Sequence, residues 1–383
     1  MVEGAKPGRK GARRSADPGA ANPAAGAGAA ARWREEAQRN LARMTNFAAL
    51  ALNPEPSGVG STPREEIYRK GKAALYRYAS PKTRGTPVLF VPNLGLSRPY
   101  IFDLLPGASF IEYMTRDGFD FYLLDWGLFG PTDRGLTMER CLTGVLPRVI
   151  DRVLERSGAD RLALLGYCMG GTLSAAYLGM EPRAPVTTFI NMAGPIDFSK
   201  AGLFGQWLSR EHFDVDRVVD AFGELPVELV RVGMQLLKPT MELSSRLNLW
   251  WNLWNDEYVE GYKALNQWAN DYRPMPGEFF REWVKAYYQG NGLLRGSLRY
   301  GGRPVRLETI RCPVLVVGAK EDHIVPPNCA RALLDAVSSR EREYVELPGG
   351  HISLIAGRSA PRHCWPRIAA WLAEHAPDNA ATM

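Results

Sequence analysis

Short, almost wholly apolar runs alternate with amphipathic stretches in two separated parts of the chain. Thr86–Asn93, Gly118–Trp126, Arg161–Tyr167 and Val186–Ala193 read as strands, and their near-continuous apolar character is that of strands covered on both faces. Cys312–Gly318 and Arg342–Leu347 read as two more. Helical spacing fills the gaps near residues 100–116, 137–157 and 170–180, and returns over Pro366–His375, where Ile368, Trp371 and Leu372 share one side. Strands that alternate with helices imply the α/β class: a mostly parallel sheet with helices on both faces.

The alternation breaks over residues 195–305, which read as helical and irregular and hold six of the ten tryptophans. Phe279, Phe280, Trp283, Val284, Tyr287 and Tyr288 make one broad aromatic stripe there. Such a stripe is either the packed core of an inserted helical subdomain or the lining of an acyl channel in a cap. The pattern therefore divides the chain into a core of residues 86–194 and 306–377, a cap subdomain of residues 195–305, and an N-terminal segment of residues 32–85. In that segment Trp33–Leu52 is helical, with Leu41, Met44, Phe47 and Leu50 at helical spacing, and Lys72–Tyr78 is an edge strand.

Composition changes this picture at one end. Residues 1–31 are Ala, Gly, Pro and basic residues with almost nothing large and apolar, so they are expected to be a disordered tail. Of the net charge of +6, +4 falls in residues 1–32. The remainder is only mildly basic, and a nucleic-acid partner is not called for. The five cysteines have neither metal-site nor disulfide-scaffold spacing. Their odd number, with no apolar signal stretch, points to the reducing cytoplasm. No apolar run is long enough to span a bilayer.

Candidate chemistry sits at strand ends. Gly166-Tyr167-Cys168-Met169-Gly170-Gly171 lies between the third strand and a helix rich in small residues. Strand, G-x-C-x-G-G, helix is the layout of a nucleophile elbow, which exposes its nucleophile on a strained turn and aims the next backbone N–H at a developing oxyanion. Taken alone, Cys168 could equally be one more inert buried cysteine. Two further strand ends carry its partners: Asp322 after Cys312–Gly318, and His351 after Arg342–Leu347. Nucleophile, acid, histidine is the chain order of the α/β-hydrolase fold. In that constellation His351 takes the thiol proton and Asp322 orients the imidazole. The oxyanion hole is expected from the backbone N–H of Met169 and of Leu96, in the loop after the first strand. His323, beside Asp322, is a possible site-lining residue. His212, His363 and His375 are less well placed, and Cys141, Cys312, Cys329 and Cys364 read as structural. A thiol nucleophile favours exchange with thioesters, and so acyl transfer from a donor such as an acyl-CoA.

The elbow also resembles the cysteine lipase box of the polyhydroxyalkanoate synthases. Arg98-Pro99-Tyr100, Leu123-Leu124-Asp125-Trp126-Gly127, Ile196-Asp197-Phe198, Gly277 to Trp283, Tyr288 to Gly292, Asp322 to Pro327 and Gly349-Gly350-His351-Ile352 are similar to segments of the short, two-component class III type. The resemblance covers residues 60–375. It implies an α/β-hydrolase fold with an inserted helical cap, and an enzyme that polymerises (R)-3-hydroxyacyl-CoA into polyester and releases CoA. The family's Cys, Asp and His fall on Cys168, Asp322 and His351, and its Asp is also proposed to help activate the 3-hydroxyl of the incoming monomer. The resemblance further implies a homodimer, an accessory synthase subunit and a cytoplasmic polyester-granule surface. No metal or cofactor is implied, since CoA is the leaving group of the substrate. Where the family loop usually carries Asn before the basic residue, this chain has Ser97. The alternative on the same scaffold is a thioesterase or polyester depolymerase, with water as acceptor. A non-enzymatic alternative, a degenerate granule-binding protein, requires a broken triad.

Overall fold

The computed structural model describes residues 23–239 and 241–376. Eight strands form one sheet: β1 (Glu65–Lys70), β2 (Ala73–Tyr78), β3 (Val88–Val91), β4 (Phe121–Asp125), β5 (Leu162–Tyr167), β6 (Val186–Met192), β7 (Val314–Ala319) and β8 (Arg342–Leu347). Their order is β1-β2-β4-β3-β5-β6-β7-β8. The β1–β2 and β2–β4 pairs are antiparallel, and every pair from β4 to β8 is parallel. The strand expected at the edge, Lys72–Tyr78, is not the edge. It lies inside β1, whose Glu-Glu-Ile-Tyr-Arg-Lys sequence is mostly exposed. Charged side chains on an outer strand discourage pairing with other chains, and they also remove the apolar signal that marks a strand in sequence.

The central strands are buried along their whole length, and successive residues feed opposite faces. Leu89, Val91, Leu162, Leu164 and Phe189 pack on one face with helices α3 (Leu146–Ser157) and α4 (Met169–Met180). Val88, Phe90, Ala163, Leu165 and Ile190 pack on the other with α2 (Phe110–Arg116) and the closing helix, α10 (Trp365–His375). Two of the expected helices begin at a proline in the structure, and both adjust in the same way. Before Pro147 the chain makes a π-helical turn over Cys141–Val145, with the Leu146 N–H bonded to the Cys141 carbonyl. Before Pro366 it does so over Ala360–Cys364, with the Trp365 N–H bonded to the Ala360 carbonyl. Proline has no N–H for the regular ladder, and the wider turn places it in the second position of the helix that follows.

The first helix, α1, runs Pro23–Leu52. Residues 1–22 of the expected tail lie outside the described residues. From Pro23 onward the expectation of disorder is corrected, because an Ala-rich run with proline in its first turn is a competent helix start. Leu41, Met44 and Phe47 of this helix are exposed rather than packed. Asn46 ties it to the body, its side-chain amide donating to the Leu253 carbonyl at 2.8 Å.

Between β6 and β7 the chain leaves the sheet and forms α5 (Val215–Phe222), α6 (Val227–Leu237), α7 (Met241–Asn252), α8 (Asp256–Asn270) and α9 (Gly277–Glu282). The segment after α8 returns to the strand ends. Arg273 pairs with Leu96 as an isolated antiparallel bridge, and the Trp268 indole donates to the Arg98 carbonyl at 2.8 Å.

The tightest packing is where α4 crosses the sheet. A methyl group on Gly170 would collide with the Val91 carbonyl, and one on Gly166 would lie 2.6 Å from the Gly171 Cα. Gly170→Ala is therefore expected to destabilise the protein by about 3 kcal/mol or more. Gly261→Ala, in open space on α8, should gain about 0.5–1 kcal/mol. Denaturant melts of the two variants beside the native protein check both signs.

Candidate active site

β5 ends at Tyr167 and α4 begins at Met169, so the whole reversal of direction falls on Cys168. Its backbone has φ 54° and ψ −129°, a conformation that L-residues avoid at a cost of about 1–3 kcal/mol. The strain is held from two sides. The Cys168 N–H bonds to the Met192 carbonyl at 2.9 Å, and the Cys168 carbonyl accepts from the Gly171 N–H at 2.9 Å. Side chains at positions 166, 170 and 171 would forbid the approach, and so the two-before, two-after glycines are a steric requirement. Asn191, buried at the end of β6, backs the crossing and donates its amide to the Gly194 carbonyl at 3.0 Å.

The loops after β7 and β8 bring the other two candidates to the same end of the sheet. His351 Nδ1 and Asp322 Oδ2 are 2.7 Å apart, and both side chains are almost fully buried. The other oxygen of Asp322 accepts from the backbone N–H groups of Ile324 (2.9 Å) and Val325 (2.8 Å). The carboxylate is thus satisfied on both oxygens. The Cys168 sulfur is near enough to the His351 ring to act on its charge. Burial disfavours the imidazolium, but the Asp322 carboxylate and the Cys168 sulfur outweigh it and push His351 up to about 10. Tyr167 backs the imidazole, with ring centroids 4.9 Å apart, and its hydroxyl donates to the His351 carbonyl at 3.3 Å. Glu321 joins the two loops by accepting from the Gly349 N–H.

Met169 is the first residue of α4, where backbone N–H groups have no partner within the helix. Leu96 sits in a tight turn with φ 60°. Its carbonyl accepts from the Arg273 N–H at 3.0 Å, which fastens this loop to the insertion. Asn93 braces the same turn, donating to the Gly95 carbonyl (2.7 Å) and to the Ser97 hydroxyl (3.1 Å). His323 differs from Asp322 beside it: it is exposed, at the loop surface rather than inside with the carboxylate. The four remaining thiols are set apart by burial, which pushes Cys312 up to about 11, Cys329 and Cys364 up to about 12, and Cys141 higher still. Such thiols are poor nucleophiles at neutral pH.

The loop after β6 and the turn after α9 together form an aromatic wall. Phe198, after β6, meets Trp283, Tyr287 and Tyr288 edge-on at 5.3, 5.5 and 5.0 Å. Asn291 locks this wall to the core by donating to Asp197 at 2.9 Å and accepting from the Phe198 N–H at 3.0 Å. The motif residues Ile196-Asp197-Phe198 signalled this region in sequence, but their partners lie about ninety residues away along the chain.

A family model described as the alpha/beta hydrolase fold matches residues 86–357. A soluble variant of monoglyceride lipase from Saccharomyces cerevisiae superposes with a TM-score of 0.55 at 13% identity, covering 84% of this chain and 99% of that one, a likeness of fold alone. The poly(3-hydroxyalkanoate) polymerase subunit PhaC of Allochromatium vinosum is 34% identical over 84% of this chain and 92% of its own length. The poly(3-hydroxyalkanoate) polymerase subunit PhaC of Haloferax mediterranei is 34% identical over 89% of this chain and 70% of its own. With an elbow cysteine on a mostly parallel eight-stranded sheet, the chain belongs to the PhaC family of poly(3-hydroxyalkanoate) polymerases, built on the alpha/beta hydrolase fold.

Proposed function

We propose that this protein is a polyester synthase that polymerises (R)-3-hydroxyacyl-CoA into polyhydroxyalkanoate, releasing CoA through a covalent acyl-Cys168. The observation that carries the reading is a thiol, rather than a hydroxyl, at the elbow of a PhaC-family chain, beside a histidine that is itself paired with a buried carboxylate.

His351 removes the Cys168 proton, and the sulfur attacks the thioester carbonyl carbon. Negative charge gathers on the carbonyl oxygen, which the N–H groups of Met169 and Leu96 face as donors. Collapse breaks the carbon–sulfur bond to CoA, and the proton on His351 leaves with the CoA thiol. The acyl group now rests on Cys168. A 3-hydroxyl group of a second acyl unit gives its proton to His351 and attacks the acyl-cysteine, forming an ester and freeing the thiol. Asp322 holds the imidazole in orientation and balances its charge in both halves. The thioester is already activated, so the cycle draws on no metal or further cofactor. The helices of the insertion act as the cap over the site. Class III membership, a homodimer, an accessory synthase subunit and a cytoplasmic granule surface belong to the same proposal and rest on the family resemblance. Among the described residues no helix is long and apolar enough to cross a membrane.

Purified protein given (R)-3-hydroxybutyryl-CoA, with a candidate accessory subunit, should release CoA and form insoluble polyester. CoA release with only free acid would mean a thioesterase. Cys168→Ala should abolish CoA release by several orders of magnitude while leaving the melting temperature close to native. Retention of more than about a hundredth of the activity would remove Cys168 from the nucleophile's role. A third experiment uses the His351 shift. Its folded value is raised, so the pair's stabilisation is fully present below the unfolded value of about 6.5 and is lost as pH climbs through about 10. Asp322→Asn removes the main cause of that shift. The variant should melt several degrees below the native protein at pH 6, and the gap should narrow toward pH 10. A gap independent of pH would contradict the assignment.

A further inference from the structure

Among the described residues, four that are not glycine have a left-handed backbone: Leu96, Cys168, Ala193 and Asn291. Strain of this kind persists where the surrounding structure over-determines it, and it clusters at functional sites. Leu96 and Cys168 belong to the oxyanion loop and the elbow. Ala193 and Asn291 mark the two ends of a path that joins the insertion to the elbow. The path runs through the loop of residues 193–198, directly after β6. The first half of that loop supports the elbow. The Cys168 N–H bonds to the Met192 carbonyl at 2.9 Å, and the Thr172 hydroxyl donates to the Pro195 carbonyl at 2.7 Å. A methyl group on Gly194 would lie 2.8 Å from the Gly171 Cα and 2.9 Å from the Cys168 carbonyl oxygen, so the two backbones are in direct contact. Ala193 itself is fixed by its N–H, which bonds to the Val317 carbonyl of β7 at 2.8 Å.

The second half of the loop is held by Asn291. This residue precedes the short helix Gly292–Arg295, where an asparagine ordinarily caps its own helix. Here its side chain makes no such cap. It reaches instead to the loop, accepting from the Phe198 N–H at 3.0 Å and donating to the Asp197 carboxylate at 2.9 Å. Asp197 is buried, and its carboxylate also accepts from the Ser199 hydroxyl at 2.6 Å and the Lys200 ammonium at 2.9 Å. The N–H groups of Ile196 and Asp197 both bond to the Cys329 carbonyl, at 3.2 and 3.1 Å. The loop is thus pinned at both ends, and the short stretch from Asp197 back to Met192 carries its position to the elbow. Resting on the reading of Cys168 as the acylated nucleophile, we propose that Asn291 is a positioning residue for Cys168: by holding Asp197 and Phe198 it fixes the loop on which the elbow rests, and so keeps the thiol and the Met169 N–H in the geometry that acylation needs. A misplacement of about 1 Å at reacting groups costs about 10²-fold in rate. The role falls on turnover rather than on substrate affinity, because both contacts of the Asn291 side chain are with the loop.

The test is single-turnover acylation of Cys168 by (R)-3-hydroxybutyryl-CoA over a range of concentrations, with the candidate accessory subunit present. The native protein is compared with Asn291→Gly, with Asn291→Asp, and with the exchange of Asp197→Asn and Asn291→Asp together, each well below its melting temperature. Free CoA gives the rate, and intact-protein mass gives the adduct. Glycine accepts the left-handed backbone while removing both side-chain contacts. Asn291→Asp alone sets two carboxylates against each other, and the exchange restores one amide opposite one carboxylate. Asn291→Gly should lower the maximal rate by roughly 10- to 100-fold, with the half-saturating concentration little changed. Asn291→Asp should be at least as slow, and the exchange should recover most of the lost rate. A native maximal rate in Asn291→Gly, a loss confined to the half-saturating concentration, or an exchange no faster than Asn291→Asp alone each overturns the proposal. Absence of an adduct on Cys168 in the native protein overturns it together with the nucleophile assignment. The measured step is common to a synthase and a thioesterase, so failure of the synthase reading shows separately, as acid in place of polymer.

Discussion

The steric closeness of α4 to the sheet is the constraint on which the site depends. Every residue of α4 is buried, and its first turn touches β3 through backbone alone, since Gly170 stands against the Val91 carbonyl. A helix this close to a strand leaves one residue in which to reverse direction, and Cys168 takes a left-handed conformation to do it. The cost of that strain is offset by the packing of α4 between β5 and the insertion. The same crossing lifts the thiol above the strand ends and aims the positive end of α4 at whatever is bonded to it.

Electrostatics add a second constraint. Burying Asp322 and His351 together sacrifices hydration, and a buried ion pair contributes little net stability even when its geometry is good. Here the geometry is good: two backbone N–H groups and one imidazole satisfy the carboxylate. The arrangement holds a basic imidazole beside a thiol, which a triad requires and stability alone does not. Two further contacts keep it in place, Glu321 across the loops and the Tyr167 hydroxyl on the His351 carbonyl.

The helical insertion is fastened to two loops at the strand ends. It meets the loop after β3 at Leu96, Arg98 and Tyr100, through Arg273, Trp268 and Asp271. It meets the loop after β6 through Asn291 on Asp197. The expected oxyanion donor and the aromatic wall are therefore both positioned by residues outside the sheet. Motion of the insertion would act on them together, while Cys168, Asp322 and His351 are carried by the sheet's own loops.

Much of the fold was legible in the chain. Five of the eight strands announce themselves as apolar runs, because strands covered on both faces need apolar side chains throughout, and β8, at the far edge, shows instead as Arg-Glu-Tyr-Val-Glu-Leu. β2 showed as a strand, though not as an inner one. β1 was hidden, since an outer edge carries charge for a reason unrelated to pairing strength. The elbow was legible because its sterics admit only glycine around Cys168, and the loops that carry Asp322 and His351 because each follows a strand. Other features arise from contacts that no local pattern encodes. His323 and Asp322 are neighbours in sequence, yet one is exposed and the other buried, because the Ile324 and Val325 N–H groups turn only the carboxylate inward. Tyr287 and Tyr288 look alike in the aromatic stripe, and only the π-helical turn and the distant partners Tyr300 and Phe198 give one a structural hydrogen bond and the other an edge-on ring contact alone. Sequence determined which residues could do chemistry, through periodicity and the sterics of the turn. Tertiary structure decided which of them share a site, because burial and partners separated by tens to hundreds of residues set the orientation of each polar group.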